Sequence, residues 1–143
     1  MSLIAFAVLT MWCAALGWFD LHQRRLPNAL TGTGAAGVFG YALFTTQFTT
    51  AALGAMLLAT PYLLVHIAAP AALGAGDVKL AAGLGAASAL GGAQAWVCAA
   101  LAAPVLTALA GAALLAARRT DHTVPHGPAM CLATLLALVA LPP

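Results

Sequence analysis

Polar positions are sparse along this chain and fall in short clusters between long apolar runs. The runs cover residues 2–19, 29–44, 51–69, 78–90, 93–117 and 124–141. About 17–25 apolar residues cross a hydrocarbon core of roughly 30 Å, and helices suit that medium because each satisfies its own backbone hydrogen bonds. The pattern therefore predicts an all-α polytopic membrane protein, a bundle of about six transmembrane helices in one domain over residues 1–143. The second and fourth runs are short and rich in Gly and Ala. They read as helices packed inside the bundle, with Gly32, Ala36 and Gly40 at four-residue steps as the contact stripe; re-entrant or interfacial segments are the alternative. Pro61 and Pro104 fall inside runs, where a helix kinks without ending.

Composition sharpens this picture: 64% of the residues are hydrophobic and only 6% are Asp, Glu, Lys or Arg. Mean hydropathy is +1.02. The solvent for most of such a chain is lipid, and no nucleic-acid partner is expected. Charge placement tests the span count, because each crossing switches sides. Asp20, Arg24 and Arg25 follow the first run, Asp77 and Lys79 follow the third, and Arg118, Arg119 and Asp121 follow the fifth, so all charges fall on one face. The Lys/Arg bias makes that face cytoplasmic and puts both termini outside. The first run lacks a basic stretch before it, so it reads as a span and not as a cleaved signal peptide.

Asp20 closes the first run and Asp77 opens the fourth, and the crossing count puts both on the same side, near the depth where membrane gives way to cytosol. Acids at that depth are costly unless paired, hydrated or used. Two readings are open. Each carboxylate caps a helix or balances a nearby cation, or the two form a functional pair. A pair can hold a water with one carboxylate as general base while the other, protonated, donates to a carbonyl oxygen, the combination that peptide hydrolysis needs without a metal. Gly74 and Gly76 permit backbone conformations denied to other residues and allow another chain to approach closely.

Three motifs carry a resemblance. "GAGDVKL", residues 74–80, resembles the GxGDxKL form of the GxGD motif in type IV prepilin peptidases, which are membrane aspartyl proteases. "DLHQRRLPNAL", residues 20–30, is similar to that family's first motif, and "VPHGPAM", residues 124–130, to the Pro-aromatic-Gly-Pro stretch that opens its last helix. The resemblance covers nearly the whole chain. It implies that Asp20 and Asp77 are the catalytic aspartates, with Gly74, Gly76, Lys79, Pro27 and Asn28 supporting the motifs or binding substrate. It also implies a prepilin or pseudopilin substrate whose short basic leader lies in the cytosol, a location in the bacterial inner membrane, and no cofactor. The chain lacks the amino-terminal cytosolic region of long prepilin peptidases, so N-methylation is not expected and the short peptidases of tight-adherence (Flp) pili are the better comparison. His126 departs from the aromatic residue expected there, which leaves its role open.

The remaining polar residues have simpler readings. Lys79 either assists Asp77 or the substrate, or anchors the topology, and Arg24 and Arg25 read as lipid-phosphate anchors. Pro27 and Asn28 read as the turn and cap that start the second helix. Asp121 reads as a solvated partner of Arg118, Arg119 and His122. His22, His66, His122 and His126 show no metal-ligand spacing; His66 reads as a packing residue or an interhelical hydrogen-bond partner. Cys13, Cys98 and Cys131 read as packing residues inside helices. Competing functions for this pattern are a small membrane transporter that uses its acids for ion coupling and a non-catalytic subunit of pilus assembly. Neither the particular pilin nor the oligomeric state is readable from the chain.

Overall fold

The computed structural model describes residues 1–118 and 124–141. Arg119, Asp121 and His122, read above as part of a charged loop, lie outside the described residues. Among the described residues there are six helices: α1 Leu3–Gln23, α2 Asn28–Phe44, α3 Phe48–Ala68, α4 Ala75–Ala89, α5 Ala93–Ala116 and α6 Gly127–Ala140. Among the described residues there is no strand. The expected all-helical bundle is therefore the fold.

Long and short helices alternate. α1, α3 and α5 have 21, 21 and 24 residues and are long and apolar enough to cross a membrane. α2, α4 and α6 have 17, 15 and 14 residues, which at the helical rise makes about 21–26 Å. Pro61 and Pro104 lie inside continuous helices, as expected.

Local chemistry sets the ends that matter. α1 starts where the Ser2 hydroxyl accepts from the Ala5 N–H at 3.2 Å. It continues past the apolar run to Gln23, so Asp20 lies within its last turn. Arg24 stops it in the left-handed region, φ 50°, with its N–H on the Asp20 carbonyl at 3.0 Å. A residue with a side chain adopts that conformation at a cost of about 1–2 kcal/mol. α4 starts before the apolar run, which puts Asp77 in its first turn. Pro27, not Asn28, is the N-cap of α2, and no side chain caps that helix.

The buried centre is α4. Every residue from Gly83 to Leu90 is buried, and the helix packs on α2, α3, α5 and α6, most extensively on α3. Glycine permits that close approach: a Cβ added to Gly54 would lie 2.5 Å from the Gly85 carbonyl oxygen, and one added to Gly85 would lie 2.5 Å from the Gly54 oxygen. Trp12 of α1 does the same on the other side. Its indole fills the space left by Gly34 of α2 and Gly83 of α4, and its Nε1 donates to the Leu30 carbonyl at 2.8 Å. Trp96 of α5 donates to the Gly54 carbonyl at 3.1 Å. The expected stripe of Gly32, Ala36 and Gly40 is instead exposed, and a Cβ at Gly32 or Gly40 would meet nothing within 4 Å. The packing stripe of α2 is the opposite one, because the bulk of Trp12 selects Gly34.

Apolar side chains cover the outside. Leu53, Met56, Leu57, Leu101, Val105 and Leu109 are all exposed, a surface that suits lipid and not water. Cys13 and Cys131 are buried, whereas Cys98 is exposed on α5, contrary to the packing role expected of it. An apolar groove of about 460 Å³ lies between the N-terminal half of α1, α2 and the end of α4, at the far end of the bundle from Asp20 and Asp77.

The crossing of α3 and α4 yields a direct prediction. Gly85→Val should destabilise the protein by about 1–3 kcal/mol, the usual cost of overpacking. A lowered unfolding midpoint in detergent micelles measures it, with Gly32→Ala expected to leave that midpoint unchanged.

Candidate active site

The end of α1 and the starts of α4 and α6 meet at one end of the bundle. Asp20 is 8% exposed, and its Oδ2 accepts from the Gly127 N–H, the first of α6, at 3.1 Å. Asp77 is half-buried, and its Oδ2 accepts from the Gly74 N–H at 3.2 Å, while its own N–H donates to the Gly74 carbonyl at 3.1 Å. Each carboxylate thus sits at a helix N-terminus, where unpaired N–H groups and the helix dipole favour negative charge. The charge of Asp77 acts on Asp20. The capping contact, one of the two readings set out above, is present at each carboxylate.

The motif glycines have different tasks. Gly74 is extended, with φ −75° and ψ 150°, and Gly92 is the glycine with positive φ among the described residues, so the unusual conformations expected at 74 and 76 are absent. Gly76 instead gives space. A Cβ there would lie 3.1 Å from Leu26 Cβ, in the connection between α1 and α2. Lys79 is exposed, and its Nζ donates to the Asn28 Oδ1 at 2.8 Å, which ties α4 to the first residue of α2. Asn28 is therefore a partner of Lys79 and not a cap, and Pro27 holds the turn before it.

Several residues of the site have no counterpart among the candidates named from sequence. Gly127 stands within "VPHGPAM", and a Cβ on it would lie 2.6 Å from the Asp20 Oδ2. The Tyr62 hydroxyl of α3 lies 2.8 Å from the His126 Nε2, and the Thr107 Oγ1 of α5 lies 2.6 Å from its Nδ1. Tyr62 is within electrostatic reach of Asp77, and His126 of Asp20. The available signal was polarity inside apolar runs: Tyr62 and Thr107 each follow a proline within a span. His66, near the end of α3, lies 2.7 Å from the Leu73 carbonyl through Nδ1. A carbonyl only accepts, so that nitrogen carries the hydrogen. The interhelical partner expected for His66 is thus the loop before α4.

The model of the type IV leader peptidase family matches residues 7–117, and the chain belongs to that family. Its members are peptidases, and the apolar helices place this one in a membrane. No match was found among curated proteins or solved structures.

Gly127 is the most constrained position of the site. Gly127→Ala forces Asp20 away from its N–H donor, and a displacement of about 1 Å costs up to about a hundredfold in rate. Leader cleavage by the purified variant should fall accordingly, whereas Gly17→Ala, on the same helix as Asp20 and with nothing within 4 Å of the added Cβ, should cleave as wild type does.

Proposed function

We propose that the chain is a membrane aspartyl endopeptidase that removes the short basic leader of type IV prepilins or pseudopilins of the Flp type, with Asp20 and Asp77 as its catalytic residues. The convergence of these two carboxylates, from separate motifs, at one end of the bundle carries this reading. One carboxylate, ionised, takes a proton from a water poised between them. The other, protonated, donates to the carbonyl oxygen of the scissile bond as the water attacks. Two carboxyl groups brought together around one water favour a shared proton, so in this reading the pair acts as a unit. The chemistry calls for neither metal nor cofactor.

The whole chain acts as one peptidase domain in this reading. The Lys and Arg side chains make the aspartate end cytoplasmic and leave the termini on the other side of the bacterial inner membrane. A leader held in the cytosol then meets the pair just where the substrate's hydrophobic helix enters lipid. Gly74, Gly76, Lys79, Pro27 and Asn28 shape the approach. Lys79 and Asn28 hold α2 beside α4, and Gly76 leaves room for Leu26.

Co-expression with a prepilin from the same genome tests the proposal through the size shift of the pilin. Wild type should cleave it. Asp20→Asn and Asp77→Asn should each lower the rate by at least about a hundredfold, the lower range for loss of a general acid or base. Equal cleavage by either variant would remove the catalytic assignment.

A further inference from the structure

The peptide that grips Asp20 joins His126 to Gly127, so the orientation of its N–H depends on how residue 126 is held. Both ring nitrogens of His126 are engaged, by Tyr62 of α3 at 2.8 Å and Thr107 of α5 at 2.6 Å. We infer that Tyr62 and Thr107 are positioning residues that clamp His126 from both sides and thereby aim the Gly127 N–H at the Asp20 carboxylate. The inference rests on the peptidase reading above and adds to it three residues that the motifs do not assign.

Proton placement follows from the network. The arrangement that satisfies every contact at once has the single Thr107 hydroxyl proton on the Ala103 carbonyl at 3.1 Å, which can only accept. Toward His126 the Thr107 oxygen therefore accepts, and Nδ1 carries the hydrogen. On the neutral ring Nε2 is then an acceptor, and the Tyr62 hydroxyl donates to it. If the ring gains a proton, Nε2–H donates instead and the phenol oxygen accepts. Both contacts survive either state, because threonine accepts throughout and the phenol can reverse its role. A carbon-only aromatic ring at position 126 could pack there but could not be held at two points.

The clamp also explains the convergence of helices at this spot. α3 and α5 supply hydroxyls, α6 supplies the imidazole and the gripping N–H, and α1 supplies the acid. A register shift of either α3 or α5 would release one ring nitrogen and loosen the peptide behind Asp20.

The test combines ring spectroscopy with kinetics. ¹⁵N NMR of His126 in the full-length protein should show hydrogen on Nδ1, kept in Thr107→Ser and lost or redistributed in Thr107→Val. In the cleavage assay, Thr107→Val and Tyr62→Phe should lower kcat by up to about a hundredfold with KM and unfolding midpoint unchanged. Thr107→Ser should recover most of that loss. The double variant should lose less than the product of the single losses, since both act through one ring. Hydrogen on Nε2 with none on Nδ1 in the wild type overturns the inference. So does wild-type kcat in Thr107→Val or Tyr62→Phe while Asp20→Asn is inactive. A wild type that cleaves no prepilin removes the peptidase reading itself, and the positioning role with it.

Discussion

A carboxylate at the edge of a membrane needs a partner that water does not dependably supply there, and in this bundle the partner is a backbone N–H at a helix start. Asp20 takes the first N–H of α6, and Asp77 takes the one that precedes α4. The rest of the arrangement serves these two contacts. α4 has to start beside the end of α1, so it runs through the centre. Its packing on α3 is close enough that Gly54 and Gly85 leave no room for side chains. α6 must present its N-terminus to α1, and its first residue is a glycine for the same steric reason.

The two grips are built alike. Behind Asp77 the peptide joining Leu73 to Gly74 offers its N–H to the carboxylate and its carbonyl to His66. Behind Asp20 the gripping peptide begins at His126, which is itself held. A peptide is a rigid plane, so fixing one edge aims the other. An imidazole stands behind each aspartate without touching its carboxylate, which accounts for polar residues deep in α3 and α5 that carry no charge.

How much of this could be read from the chain depends on the contrast each residue makes with its surroundings. Asp20 and Asp77 stand out because a charge in an apolar chain is rare, and the alternation of runs already put them at one end. Tyr62 and Thr107 gave weaker signals, since a hydroxyl inside a helix can bond its own turn, as Thr33 does with the Ala29 carbonyl. The packing face of α2 was misread because glycine spacing marks two stripes equally well. Only the position of Trp12 in space decides for Gly34 over Gly32. Cys98 was misplaced for a related reason: α5 is apolar all round, so no face of it announces lipid. α2 and α4 read as short from the sequence and are short, whereas the apolar run at 124–141 was longer than the helix within it, Gly127–Ala140, because apolar composition marks compatibility with lipid and not where a helix starts.

The alternation of long and short helices has a consequence for the lipid itself. α2, α4 and α6 at 17, 15 and 14 residues fall several ångströms short of a hydrocarbon layer of roughly 30 Å. Hydrophobic mismatch of that sign is relieved by thinning the bilayer or by letting headgroups and water sink toward the protein. The starts of all three short helices lie at the aspartate end. In the proposed peptidase reading, a bilayer thinned at that end would lower the water line toward the carboxylates, and a peptide bond at the lip of the membrane would meet them without being drawn out of it.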